Sequence, residues 1–333
     1  MTLTSAKRVP ALSTLILLVA NLLWPTSTPA LDYPTKAIRF IVPFPASGAG
    51  DMVARALGQR LGESLHQSVV IDNRSGAGGT VGVQVTAKAA PDGYTLLLCT
   101  SSTQVIGPIL QPNIPYDPIK DFTAITLTVL LPNILVAHPS AGVSTLAELI
   151  KFAKAKPGQL GYASNGNGTS SHLAGELLKR EAGINLVHVP YKGAGIAIND
   201  ALGSHVPLLI GGLSTSLPHV KSGRLRSLAI MSLKRSAAAP DIPTAAESGL
   251  PGFEVIQWFG LSAPAGLPKP ILARLNEEAR RILSSADFRD RMVQQGIDVM
   301  STSSEEFRAF IQTETRKWSR ILKDSGIHID PAG

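Results

Sequence analysis

Apolar positions along this chain change their period repeatedly, and the changes divide it into alternating elements. Residues 38–43 (IRFIVP) form a short, β-branched apolar run, the pattern of a strand buried on both faces. A loop rich in Gly and Pro follows. From Asp51 the period becomes helical, with Val53, Leu57, Leu61 and Leu65 at every fourth position. Asp51 is expected to open that helix, its carboxylate capping free N–H groups. Residues 68–72 (SVVID) read as a second strand. A glycine-rich turn at 74–79 (RSGAGG) then leads into a small-residue helix to about Ala89. Pro91-Asp-Gly93 signals a turn, and 94–100 is a third strand.

The scheme repeats further on. Strands are expected at 133–138 (NILVAH), 160–164 (LGYAS), 185–189 (NLVHV), 206–210, 225–231 and 257–263. Helices are expected at 144–152, from about Ser171 to Ala182, after the 190–195 loop, at 268–283 and at 304–322. Ser303-Ser-Glu-Glu306 has the spacing of a capping box at the start of the last helix. Alternating strands and helices predict α/β architecture with a mainly parallel sheet.

The amino terminus stands apart. Lys7 and Arg8, an apolar run at 11–23, and small residues up to Ala30 make the three-part pattern of a secretory signal cut after Ala30. The alternative is a membrane anchor, for which the run is short of the ~20 residues a span needs. No Cys stands at the cut to carry a lipid, and no later stretch reaches membrane-spanning length, so the mature chain is expected to be soluble and periplasmic. About 300 residues then remain, long for one compact core, which points to two domains.

The net charge is +7, of which the leader carries two. Aromatics are only 5% and basic residues are scattered, so a nucleic-acid groove of stacking and basic side chains is not expected. Mild positive charge suits small anions, or serves solubility alone. Cys99 is the single cysteine, which excludes an internal disulfide and argues against a cysteine-ligated metal. It lies in the apolar run YTLLLC and reads as a core residue rather than a nucleophile.

Three loops, at 46–51, 164–171 and 191–195, place Gly and small hydroxyl or amide residues just before a helix. Glycine permits close backbone approach, and a helix start offers unpaired N–H groups with a partial charge of about +0.5. Such ends bind carboxylate or phosphate without an Arg. The same composition also makes ordinary α/β turns, and spacing alone leaves both readings open. Enzyme patterns are weak. Val53 replaces the third glycine of a dinucleotide fingerprint, and no Walker loop, nucleophile elbow or His-Glu-x-x-His occurs. Residues 212–216 (GLSTS) only half resemble an elbow. His172 follows a glycine loop, where it would touch a ligand, orient the loop or pack.

Taken in order, these motifs resemble the tripartite tricarboxylate transporter substrate-binding proteins, also called Bug proteins. The resemblance runs from Tyr33 to about Asp330. It is carried by 33–38 (YPTKAI), 42–51 (VPFPASGAGD) with Ala54-Arg55, 73–79 (NRSGAGG) and 91–95 (PDGYT). It continues through 162–173 (YASNGNGTSSHL), 189–193 (VPYKG), 241–247 (DIPTAAE), 252–254 (GFE) and 258–264 (WFGLSAP).

The resemblance implies a type II periplasmic binding protein fold of two α/β domains joined by two crossing strands, closing on a ligand like a flytrap. The domains would be 31–131 plus 256–333, and 132–255. It nominates Ala46, Ser47, Gly48, Gly50 and Asp51 on one side of the cleft. Opposite stand Ser164, Gly166, Gly168, Thr169 and His172, with Tyr191 and Lys192. Gly50 replaces the family's usual Thr, removing a hydroxyl, and Ser47 replaces a Gly, supplying a hydroxyl or narrowing the site. The expected ligand is a small mono- or dicarboxylate or an acidic amino acid, with no metal, cofactor or nucleic acid. Inner-membrane transporter subunits are the expected partners of a monomer that is not an enzyme. Two alternatives remain: a ligand sensor serving a signalling partner, and a hydrolase or isomerase using His172 with Ser164 or Ser170.

Overall fold

The computed structural model describes Thr2, residues 32–111 and residues 113–325. The expected leader, its cut after Ala30 and the segment 326–333 lie outside the described residues, apart from Thr2. The fold is built by the unit that begins at Pro34.

Its first half follows the βαβ rhythm. Strand β1 (Ile38–Val42), helix α1 (Ala49–Leu65) and strand β2 (Val69–Asn73) come first. A single 3₁₀ turn, Ala77–Gly79, leads into α2 (Thr80–Ala87), and β3 (Thr95–Thr100) follows. β2, β1 and β3 lie side by side and parallel, with Phe40 opposite both Ile71 and Leu96. β1 and β3 are inner strands with their apolar side chains buried, as near-continuous apolar runs require. The side of α1 that carries Val53, Leu57, Leu61 and Leu65 is buried as its period predicts. After β3 comes a five-residue π-helical turn, Ser102–Ile106, which was not expected, and the short α3 (Gly107–Leu110).

The longest strand, β4 (Phe122–Ala137), departs most from expectation. Sequence pattern gave only its last third, because Pro132 lacks a ladder N–H and Thr123, Thr126 and Thr128 break the apolar run. In the structure Pro132 sits where the strand changes partners, so no ladder bond is lost. Up to Pro132, β4 pairs antiparallel with β9 (Ile256–Pro264). From Asn133 it pairs antiparallel with β7 (Leu208–Gly212), and from Ile134 also with β8 (Arg226–Ile230). Thr126 and Thr128 are buried and satisfied: Thr126 Oγ1 donates to the carbonyl of Thr302 at 2.9 Å, and Thr128 Oγ1 to that of Phe259 at 2.9 Å.

The second half repeats the α/β scheme with α4 (Leu146–Ala155), β5 (Gly161–Ser164), α5 (Ser170–Ala182), β6 (Val187–Pro190), α6 (Ala194–Leu202), β7, α7 (Leu213–Lys221) and β8. β5 lies parallel to β6 and β7. The chain returns to the first half at 255–256. There the buried Asn133 Nδ2 donates to Val255 O at 2.9 Å, tying the returning chain to the outgoing strand. β9 inserts antiparallel between β3 and β4, with Cys99 opposite Gly260.

The carboxy-terminal part is α8 (Lys269–Leu283), α9 (Ala286–Val293), β10 (Asp298–Val299) and α10 (Ser304–Ser325). The capping box forms as its spacing predicts: Ser303 N donates to Glu306 Oε2 at 2.7 Å and Glu306 N to Ser303 Oγ at 3.1 Å. α7, α9 and β10 were not expected. α7 begins at the segment 212–216 that half resembles an elbow, and it contains Pro218. Trp258 of β9 is buried edge-on against Phe307 and Phe310 of α10. Cys99 is fully buried, its thiol donating to Gly260 O at 3.3 Å and pushed up to about 12 by burial, so it is the core residue expected.

Candidate functional site

The β1–α1 loop turns at Ser47, whose φ of 73° is left-handed and unusual for a residue with a side chain. The helix begins at Ala49 behind Gly48, two residues earlier than expected. Asp51 therefore sits in the first turn rather than at the cap. Its carboxylate reaches back: Oδ2 accepts from Ser47 N at 3.2 Å and from Arg55 Nε at 2.9 Å. Burial alone would raise the Asp51 pKa, but these bonds outweigh it and hold the group below the ordinary carboxylate value. Asp51 fixes the loop conformation that exposes the helix start.

The β5–α5 loop is held from within. Thr169 caps α5, accepting from His172 N at 3.4 Å, while its hydroxyl donates to Gly166 O at 2.7 Å. Ser171 Oγ accepts from Asn165 N at 2.9 Å. Ser164 Oγ accepts from Gly166 N at 3.2 Å and pairs with His188 Nε2 at 2.7 Å. His172 Nδ1 accepts from Gly168 N at 3.4 Å. The rings of His172 and His188 stack at 3.9 Å, with Tyr162 on the far face of His188 at 5.0 Å. Burial, the largest influence, lowers His172 to about 4 and His188 to about 3, so both are neutral at pH 7.

Between the two halves lies a cavity of about 270 Å³. Four helix starts reach its wall: α1 through Gly48, Ala49 and Gly50, α5 through its cap Thr169, α6 through Gly193 and Ala194, and α7 through Gly212 and Thr215. Asn165, Lys192, Asn199, Gln257 and Phe259 also line it. Among the described residues none that lines it is acidic, and Lys192 is the cation on the wall. An adjoining cavity of about 370 Å³ shares Ser47, Gly48, Ala194, Gly195 and Thr215 and adds Asp51, Ser214 and His219. The halves approach closely around it. Ser170 N of α5 donates to Ser102 Oγ of the π-turn at 3.2 Å. A Cβ on Gly193 would stand 3.1 Å from Pro45 Cγ.

Of the expected site residues, Ala46, Ser47, Gly48, Gly50, Thr169 and Lys192 line the first cavity, and Asp51 lines the second. Ser164, Gly166, Gly168 and His172 stand behind the loop and shape it. Tyr191 turns its hydroxyl to Asp200 at 2.6 Å. A Cβ at Gly50 would meet Leu98 Cδ2 at 3.2 Å, so a larger residue there would press on β3 rather than simply add a hydroxyl to the cavity. Sequence reading missed Gly212, Thr215 and Gln257. The first two did carry the signal used elsewhere, glycine and hydroxyls after a strand, but their segment half resembles an elbow, and the helix that follows contains Pro218. Gln257 was a lone polar residue in an apolar strand.

Ser164 is paired with His188, not with the His172 of the hydrolase reading, and the serine is fully buried. Ser170 Oγ is buried without a partner. Among the described residues no group of three or more His, Cys, Asp or Glu could hold a metal, and no helix is long and apolar enough to cross a membrane.

Comparison with known proteins agrees with this architecture. Residues 53–327 match the tripartite tricarboxylate transporter family receptor. The chain is 39% identical to the protein BugT of Bordetella pertussis over 295 residues, 88% of this chain and 90% of BugT. Among solved structures it is similar to R. palustris Rpa4515 with adipate (34% identity, TM-score 0.87, 89% of this chain and 99% of that one). It is also similar to MatC from Rhodopseudomonas palustris with bound malate (32% identity, TM-score 0.83, 87% and 100%). The two-lobed α/β arrangement is that of the periplasmic binding proteins, as expected.

Proposed function

Since this chain belongs to the tripartite tricarboxylate transporter receptor family, we propose that it is a periplasmic solute-binding protein that captures a small carboxylate between its two α/β halves. The observation that carries this reading is the acid-free cavity on which four helix starts converge. Each start contributes a positive dipole end, those of α1, α6 and α7 have no side chain capping their N–H groups, and a carboxylate placed among them needs no arginine. Lys192 adds a formal positive charge. Adipate and malate in two structural relatives support the ligand class.

The domains on this reading are 31–131 with 256–333, and 132–255, with the partner change at Pro132 and the return at 255–256 as the crossings. Residues 1–30 direct export and are removed. Ala46, Ser47, Gly48 and Gly50 face Thr169 and Lys192 across the ligand. Asp51, Ser164, Gly166, Gly168, His172 and Tyr191 hold the loops in shape. Ligand closes the halves, and the closed form engages the membrane subunits of the transporter. The reading includes no catalysis, since the Ser164 that pairs with His188 is fully buried behind the loop.

A thermal-shift panel of mono-, di- and hydroxycarboxylates tests this directly. A bound carboxylate at a hundred times its dissociation constant adds about 2.7 kcal/mol of stability. Absence of a shift with every member of the panel would overturn the assignment. Transport is tested separately, by carboxylate uptake in a deletion strain.

A further inference from the structure

One cluster of polar atoms on the cavity wall holds a buried hydroxyl with no partner, beside Thr215 Oγ1, which donates to Gly212 O at 2.9 Å. Gly212 ends β7 and precedes α7, a helix of nine residues with no side chain capping its start. Around the point that a Gly212 Cβ would occupy stand Ser214 Oγ at 3.6 Å, Thr215 Oγ1 at 3.8 Å and Gln257 Oε1 at 4.0 Å. Ser214 is only 4% exposed, and its hydroxyl has no hydrogen-bond partner. A buried hydroxyl left unpaired is costly, and this one stands at a space a guest can enter. Gly212 and Gln257 line the first cavity, Ser214 the second and Thr215 both, so the cluster stands where the two meet.

The geometry points to a second anchoring subsite, formed by the first turn of α7 with Gln257, that receives the far carboxylate of a dicarboxylate held at its other end by the loops at 46–50 and 165–169. The inference rests on the carboxylate-receptor reading and adds the second anchor. The donors available are the first N–H groups of α7, the Ser214 hydroxyl and, once the amide turns its Nε2 in place of Oε1 toward the space, Gln257. The positive end of the α7 dipole favours an anion and disfavours an ammonium group. Asp51 is the acidic residue lining the second cavity, and its charge is matched by Arg55 at 2.9 Å.

Calorimetric titration of matched pairs tests the subsite: succinate with butyrate, glutarate with pentanoate, and adipate with hexanoate. The wild-type protein is expected to bind at least one dicarboxylate about tenfold or more tighter than its monocarboxylate partner, the scale of one charge-assisted hydrogen bond. Ser214→Ala removes the unpaired hydroxyl. Gly212→Ala fills the space among the three polar atoms, and its backbone (φ −66°, ψ 141°) accepts a side chain without strain. Both variants are expected to keep the wild-type melting temperature without ligand and to lose most of the dicarboxylate advantage, and Ser214→Ala, at a residue that does not line the first cavity, is expected to leave monocarboxylate affinity within about twofold. Equal loss for both ligand types, or no dicarboxylate advantage in the wild type, overturns the second anchor while leaving the receptor reading intact. Failure to bind any carboxylate overturns both.

Discussion

Behind the β5–α5 loop two imidazoles stack at 3.9 Å, and each holds one end of the loop: His188 through Ser164 Oγ and His172 through Gly168 N. The groups facing the stack are Tyr162, Glu176 and Lys179. Glu176 Oε1 lies 4.0 Å from His172 Nε2, and Lys179 pairs with Glu176 at 2.8 Å. Burial depresses both histidines, to about 4 and about 3, whereas the unfolded chain titrates near 6.5. Below pH 6.5 the unfolded state therefore binds more protons, and stability is lost as pH falls through that window. The expected outcome in urea titrations of the ligand-free protein is a decline from pH 6.5 to 4.5 of about 1.4 kcal/mol per pH unit for each such histidine. Replacing both with Gln should flatten this part of the curve. An unchanged curve in the double variant would remove the stack from the account. Ser47 shows a different residue-scale compromise. It keeps a side chain at φ 73°, a conformation that costs about 1 kcal/mol or more outside glycine, at a point bordering both cavities.

Helix starts do two jobs in this molecule: they end strands cleanly, and they point toward one cavity. Thr169 combines both, since it caps α5, ties down Gly166 and lines the cavity. Thr169→Ala should lower the stability of the ligand-free protein by about 1 kcal/mol through the lost cap. It should weaken carboxylate binding by a further ~1–3 kcal/mol if the hydroxyl also meets the ligand. Denaturation and calorimetry separate the two effects, and Thr169→Ser should restore the cap. A loss of stability with unchanged affinity would leave Thr169 a capping residue only. The capping box of α10 was legible because a reciprocal Ser–Glu pair lies within four residues. The loops at 46–51, 164–171 and 191–195 were legible for the same reason, as glycine and small polar residues between a strand and a helix. α7 was not: its start at 212–216 half resembled a nucleophile elbow, and Pro218 is unfavourable inside the helix that follows.

At the scale of the molecule, the halves meet at a few tight points, among them Pro45 against Gly193 and Ser102 against Ser170. A Cβ at Gly193 would stand 3.1 Å from Pro45 Cγ, on a backbone with φ 133°. Gly193→Ala should therefore hinder approach of the halves, reducing carboxylate affinity about tenfold or more, in line with the cost of overpacking a close contact. Small-angle scattering should show a smaller decrease in radius on ligand addition than in the wild type. Wild-type affinity and compaction in this variant would mean that closure does not depend on that contact. The sequence by itself determined what is local: most of the strands and helices in their order, the capping box of α10, the buried Cys99 and the glycine loops, because periodicity and short-range hydrogen bonding are properties of neighbouring residues. Only the tertiary structure decided that β4 continues through Pro132 into a second set of partners, that Ser164 pairs with His188, and that Gln257 stands beside the first turn of α7. Those contacts join residues 24 or more positions apart in all three cases, and sheet order, not local pattern, brings such residues together.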